Sequence, residues 1–279
     1  MNFPGLIDLH VHTAPDVRVR KFTDDGLAAA VLASGARGAV LKSHNSCTAE
    51  RAWLARARYA GTEIHGSLVL NSSAGGVNPA VVTHAIRMGA KIIWLPTLMA
   101  ENHRRYEGKT GGEPVVHEGR VTPALAEVLR LAAEADIAVA TGHLSADESV
   151  IVARVAWALG VKKFLITHPE HPVVAMSVEQ QAALLAEGPV IFERCYSHPG
   201  GDGHYRLNFE ANLQAIETLG TESTVLDSDC GQVENPQWPE VWSEIYRYYL
   251  DHHITPAALR HMTCDLPARL LNLPILQSG

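Results

Sequence analysis

The feature that most constrains this chain is a rhythm. Short apolar runs rich in β-branched residues recur eight times, at 6–12, 38–44, 63–70, 91–97, 137–143, 163–168, 189–195 and 224–230. Between them lie segments whose apolar residues follow the i, i+3, i+4 spacing of a half-buried helix. The helical segments carry their own punctuation. Thr23 and Gly35 bracket the first, Thr48 and Gly61 the second, and Asn78-Pro79 opens a third that ends at Gly89. Thr122-Pro123 opens the fourth, and Ser145 with Glu148 and Ser177 with Gln180 read as capping boxes for the fifth and sixth. A seventh runs from about 209 to 220, and two more close the chain. Strand–helix alternation with connections this long describes parallel crossovers, hence an α/β fold, either a closed barrel or an open doubly wound sheet. Eight strands in 279 residues favour a single-domain (β/α)8 TIM barrel spanning 1–279. No strand-to-helix turn carries GxGxxG or GxxxxGK[ST], which argues against a nucleotide fold.

Two segments stand outside the rhythm. The connection at about 98–121 is polar and holds Gly108, Gly111, Gly112 and Gly119; a loop that long is expected to cover a pocket. A final helix is expected at about 255–273.

Charge and cysteine usage narrow the function classes. A net charge of -7 argues against nucleic acid or an anionic membrane as partner. No apolar stretch is long enough to span a bilayer, and no basic segment followed by an apolar run marks a signal peptide. Cys47, Cys195, Cys230 and Cys264 form no CxxC pair, as expected of reduced thiols in a cytoplasmic protein. The expected partner is a small-molecule substrate, and a homo-oligomer is expected.

The chemistry is read at the strand ends, where barrels of this kind place their active sites. The first run ends His10-Val11-His12, the second Lys42-Ser43-His44, the fifth Thr141-Gly142-His143 and the sixth Thr167-His168. The seventh carries Glu193 and the eighth ends Asp227-Ser228-Asp229. Residues two apart on a strand share a side, so His10 and His12 face the same way. Imidazole and carboxylate suit zinc, and also manganese or iron, so one or two divalent ions are expected. A metal of this kind makes hydroxide available near neutral pH. Around this rim, Asn71, His103, Arg104 and Arg105 are candidate substrate-binding residues, the arginines for an anionic group.

Asp8-Leu9-His10-Val11-His12-Thr13-Ala14-Pro15-Asp16, the LKSH stretch at 41–44, TGHLS at 141–145, Thr167-His168-Pro169 and DCGQ at 229–232 resemble the metal-dependent amidohydrolase superfamily over nearly the whole chain. Within it, the chain looks like an uncharacterised group of cytosolic barrel proteins. The resemblance implies His10, His12, His143, His168 and Asp229 as metal ligands or near-ligands. It also implies Asp229 as the proton-handling carboxylate, with His143 or His168 orienting the substrate. Two-metal members usually end their fourth strand in a bridging lysine or glutamate; here it ends Trp94-Leu95-Pro96-Thr97. That departure favours one tightly held ion, with Lys42, His44 and Glu193 as further candidate ligands. DLHVHT followed by Lys42-Ser43-His44 is also similar to the first motifs of PHP phosphoesterases, which would make His44 a ligand. The resemblance therefore implies a hydrolase of small molecules, with amide, lactone, ester or deamination chemistry. A PHP-type phosphoesterase, a mononuclear decarboxylase or a non-catalytic metal-binding barrel are the alternatives.

Overall fold

The computed structural model describes residues 2–276. Along the chain run β1 (Ile7–His12), α1 (Asp24–Ala33), β2 (Gly38–Lys42), α2 (Ala49–Arg58), β3 (Glu63–Val69), α3 (Pro79–Arg87) and β4 (Ala90–Trp94). There follow α4 (Glu101–Tyr106), β5 (Val116–His117), β6 (Arg120–Val121), α5 (Pro123–Glu134), β7 (Ala138–Ala140), α6 (Ala146–Ala158), β8 (Phe164–Thr167), α7 (Val178–Glu187) and β9 (Ile191–Cys195). The chain closes with β10 (Ser197–Pro199), β11 (Tyr205–Leu207), α8 (Phe209–Leu219), β12 (Thr224–Asp227), α9 (Trp238–Asp251), α10 (Pro256–Arg260) and α11 (Leu266–Leu270). Eight strands form one sheet in the order β1-β2-β3-β4-β7-β8-β9-β12, the order of a (β/α)8 fold, and β5–β6 and β10–β11 are separate hairpins. Among the described residues no helix is long and apolar enough to cross a membrane.

The chain divides into two compact units, and the division falls within β3 and β9. The first comprises the described residues up to Ser43, then Thr48–Gly66, and the described residues from Arg194 onward. Here β1 pairs in parallel with β2, and Val11 bridges in parallel to Cys230 just past β12. The second comprises His44–Cys47 and Ser67–Glu193, with β4, β7, β8 and the start of β9 in parallel register.

Most of the helix punctuation works as the sequence suggests. Thr23, Thr122 and Thr255 accept hydrogen bonds from the first turns of α1, α5 and α10, and Ser145–Glu148 and Ser177–Gln180 form reciprocal capping boxes. Thr48 differs: its hydroxyl donates to the Leu41 carbonyl (2.6 Å) and so ties α2 to β2 instead of capping the helix. The connection at 98–121 is built rather than open, holding α4 and the β5–β6 hairpin. Asn71 Oδ1 accepts from the backbone of Thr97 and Met99, which turns the chain into α4. The closing helix is not continuous either. Residues His261–Asp265 form a π turn between α10 and α11. Pro267 lacks an N–H and its ring crowds the carbonyl four residues earlier, and widening the helix relieves both faults.

Several strands stop short of the runs that suggested them; β2, β4, β7 and β12 end two or three residues early. The backbone turns away there. Gly142 (φ 62°), His168 (φ 30°) and Asp229 (φ 47°) adopt left-handed conformations. At Gly142 a Cβ would stand 2.4 Å from the Leu95 carbonyl oxygen, so this turn needs glycine. His44, His143, His168 and Asp229 therefore sit on the turns that leave the strands, not within them.

One buried carboxylate organises the first unit. Asp8 Oδ1 accepts from the backbone N–H groups of His10 and Ser228, each at 3.2 Å. Its Oδ2 accepts from the indole N–H groups of Trp238 (2.7 Å) and Trp242 (3.0 Å). The two indoles belong to an apolar stripe on α9 that continues through Val241, Ile245 and Tyr249, at the spacing of one helix face, and packs with Phe3, Leu6 and Val11. Removing the carboxylate would strand four buried donors, each costing about 1–3 kcal/mol when unsatisfied. Urea unfolding should show Asp8→Ala destabilised by at least about 3 kcal/mol, with Asp8→Asn between it and the wild type because one oxygen is kept. Equal stability of all three proteins would remove Asp8 from this role.

Candidate metal centre

The candidate centre is built on β1. All six of its residues are buried, so its side chains meet the interior on both faces. Asp8 is spent on the backbone and indoles, while His10 and His12 extend their Nε2 atoms toward each other (3.3 Å). The third member comes from the turn after β12. Asp229 Oδ1 lies 3.1 Å from His10 Nε2 and 3.3 Å from His12 Nε2. Gly231 (φ 119°) lets the chain pass β1 here, since a Cβ would collide with the His12 carbonyl. Asp227, two residues earlier, is engaged otherwise: its Oδ1 accepts from the Leu9 backbone N–H at 2.6 Å and ties β12 to β1.

Neighbouring groups tune the triad. Burial holds the His12 imidazole down at about 3, and the Arg20 cation adds to this against the pull of Asp229, so His12 is neutral in the physiological range. Burial works against ionising Asp229, but the two histidines outweigh it and keep its carboxyl well below the usual range. His10 Nδ1 lies 3.7 Å from the Cys195 thiol, a contact on the ring edge opposite the triad. Lys42, at the end of β2 and paired in register with His12, brings Nζ to 2.9 Å from His10 Nε2. Gln232 Nε2 donates to Asp229 Oδ1 at 3.3 Å, and Arg20 Nη2 reaches within 3.5 Å of His12 Nδ1. Both Gln232 and Arg20 also line a cavity of about 430 Å³ beneath the β10–β11 hairpin.

The donor set fits a divalent cation. Tetrahedral ligands at about 2.0–2.1 Å stand about 3.3 Å from one another. The three observed separations, 3.1, 3.3 and 3.3 Å, match that spacing. His10, His12 and Asp229 thus form a buried group able to hold a metal.

The second unit gathers the remaining histidines. His143 stacks on His103 (ring centroids 4.7 Å apart), with His168 at 5.1 Å, His171 at 6.0 Å and His44 at 6.1 Å. His44 Nδ1 meets the Thr97 hydroxyl (2.8 Å). Asn71 is buried, and its amide donates to the His44 carbonyl and the Thr97 hydroxyl, so its hydrogen bonds are made to its own chain. Arg104 closes the connecting segment on itself by donating to the Thr110 carbonyl, and Arg105 is exposed. Glu193 lies fully buried in β9, opposite Thr167. His171, Cys195 and Gln232 escaped the sequence reading. His171 was legible as the second histidine of His168-Pro169-Glu170-His171; Cys195 and Gln232 had no signal beyond their place near a strand end.

Residues 5–192 match a family described as "Family of unknown function (DUF6282)". The chain belongs to that family. No curated protein matches the sequence. Among solved structures, this DUF6282 member is similar to an amidohydrolase from Pseudomonas aeruginosa, at 11% identity and a TM-score of 0.66, covering 96% of this chain and 95% of that one. It is also similar to an organophosphorus hydrolase from Deinococcus radiodurans, at 17% identity and a TM-score of 0.59, covering 95% and 91% of the two chains. A third is a 2,6-dihydroxybenzoate decarboxylase in complex with 2,6-dihydroxybenzoate, at 11% identity and a TM-score of 0.58, covering 97% and 100%. At these identities the likeness shows the fold alone, the eight-stranded α/β barrel that these enzymes share.

Because His12 is held neutral when folded and protonates near 6.5 when unfolded, acid favours the unfolded state between pH 6.5 and about 3. Unfolding of the metal-free protein should therefore show stability falling as pH drops through that window, and less steeply in His12→Gln. Parallel pH profiles for the two proteins would show that His12 is not the group responsible.

Proposed function

We propose that this protein is a metal-dependent hydrolase of small molecules. The observation that carries the reading is the convergence of His10, His12 and Asp229 donor atoms at the mutual spacing of tetrahedral ligands. The general kinship supports it: the fold is that of amidohydrolase-superfamily enzymes. The cation proposed is zinc, with manganese or iron as substitutes, one held tightly per chain. When bound, such an ion would supply the Lewis acidity that polarises a carbonyl and makes water a nucleophile near neutral pH.

The residues of the chain have the following roles in this reading. His10 and His12 hold the cation as neutral imidazoles. Asp229, ionised and steadied by Gln232, takes the proton of the attacking water and returns it to the leaving group. The cavity beside the triad receives the substrate. His143 and His168, in their own cluster, are proposed as cation-holding or substrate-orienting groups, as the resemblance implies. His103, Arg104 and Arg105 are kept as candidates for substrate contacts. A decarboxylase is the second reading. The observation favouring it is that the segment after β4, Leu95-Pro96-Thr97, offers neither lysine nor carboxylate as a bridge for a second ion; one decarboxylase shares the fold.

The test separates binding from proton transfer. His10→Ala and His12→Ala should each lose the metal, as elemental analysis of purified protein would show. Asp229→Asn keeps an oxygen ligand but cannot act as a base near neutral pH. It should retain much of its metal while losing turnover by about 100- to 10,000-fold on whichever amide, lactone or ester a screen identifies. Asp227→Asn should be less affected in turnover. An active Asp229→Asn enzyme would contradict the assignment, and carbon dioxide release in a carboxylate screen would favour the lyase.

A further inference from the structure

His103 lies in α4, within the long connection after β4, and is buried despite the polar character of that segment. Two consecutive residues of this helix grip His143. Asn102 donates to the His143 carbonyl at 3.1 Å and to the Val173 carbonyl at 2.6 Å. The His103 and His143 rings lie 29° from parallel with centroids 4.7 Å apart, and they meet at their edges, where the two Nδ1 atoms stand 2.8 Å apart. Two imidazole nitrogens at that distance share one proton, so one donates and the other accepts. The far edge of His103 shows which. Its Nε2 faces Glu107 Oε1 at 3.6 Å, one helical turn on, too long for a direct hydrogen bond but close enough for the carboxylate's negative field to favour a proton on that nitrogen. A negative charge on that side favours the tautomer of a neutral His103 with its proton on Nε2, which leaves its Nδ1 as the acceptor. Lys109, whose Nζ is 2.9 Å from Glu107 Oε2, offsets the carboxylate charge, so Glu107 does not require His103 to be an imidazolium.

We propose that His103, oriented by Glu107, is a positioning residue that fixes His143 as the Nδ1–H tautomer and leaves its Nε2 unprotonated. His143 then presents a lone pair rather than a proton, the form that can bind a cation or accept a proton. A carboxylate–imidazole pair behind a working histidine fixes the tautomer and raises the basicity of the ring in front. The connection at 98–121 thereby serves the histidine cluster through α4 and not through its arginines. The tautomer assignment stands by itself; its consequence for cation binding rests on the reading of His143 as a ligand.

Long-range proton–nitrogen correlation spectra of metal-free protein carrying nitrogen-15 histidine test this near neutral pH, with His143 assigned by the signals lost in His143→Gln. The wild type should show His143 with a protonated Nδ1 and a pyridine-like Nε2. His103→Phe keeps the ring contact but removes the acceptor, and His143 should shift toward the Nε2–H form. His103→Asn, whose Oδ1 can accept in place of Nδ1, should restore the wild-type pattern, a rescue that a purely space-filling role would not give. Glu107→Gln lies at the surface and gives a second variant should His103→Phe not fold; it should partly scramble the tautomer. A wild-type His143 protonated on Nε2, or a His143 tautomer unchanged in both His103→Phe and Glu107→Gln, overturns the proposal. Zinc titration then separates the two readings. If His143 is a ligand, His103→Phe should weaken the site it serves by roughly 10- to 100-fold. Unchanged zinc affinity with a scrambled tautomer would support the positioning role and count against His143 as a ligand.

Discussion

Four N–H groups converge on the Asp8 carboxylate, two from the backbone beside the triad and two from the indoles of α9. A buried carboxylate is tolerable only when its lone pairs are filled, and filling them here joins three elements that are far apart in sequence: β1, the turn after β12, and α9. The backbone donors are His10 N–H and Ser228 N–H, so the hydrogen bonds that satisfy Asp8 also set where His10 and the Asp229 turn begin. Asp227 repeats the device through Leu9, which leaves Asp229 as the carboxylate presented to the histidines. The geometry of the candidate metal centre thus follows from how the neighbouring buried carboxylates are satisfied.

What these carboxylates leave exposed to one another is a cluster of acceptors. The neutral His12 imidazole, the His10 ring and the ionised Asp229 carboxylate pack at 3.1–3.3 Å, a concentration of electron density that a positive charge among them would offset. The Lys42 ammonium, 2.9 Å from His10, meets part of that demand from the side of β2. A divalent cation would meet it more fully, and a neutral His12 suits such an ion, since a protonated imidazole would be both a poor ligand and a competitor. Gln232 and Arg20, which touch Asp229 and His12, also line the cavity beneath the β10–β11 hairpin.

The fold and the shared side of His10 and His12 were legible in the sequence because both are periodic. The eight apolar runs mark buried parallel strands, and the HxH spacing puts His10 and His12 on one side wherever the strand lies. What escaped was set by backbone turns and by contacts distant in sequence. The strand runs continue into His44, His143 and Asp229, but left-handed or glycine-dependent turns end the strands first, and nothing in hydrophobicity reports them. Thr48 reads as a helix cap because threonine before a helix usually is one; here a nearer acceptor, the Leu41 carbonyl, takes its hydroxyl. The connection at 98–121 read as a loop because Asn71 and Asn102 carry no periodic signal, yet their hydrogen bonds tie it down. The role of His103 depends on a partner forty residues away, and no local pattern encodes it.

The account centres on His10, His12 and Asp229 as one cation site. Anomalous diffraction from crystals of the zinc-loaded protein, recorded on both sides of the zinc absorption edge, tests it most directly. The account predicts an anomalous peak coordinated jointly by His10 Nε2, His12 Nε2 and Asp229, at ligand distances of about 2.0–2.2 Å, and its disappearance in His12→Ala. Zinc bound elsewhere with the triad closed on itself, or a peak undiminished in His12→Ala, would contradict it.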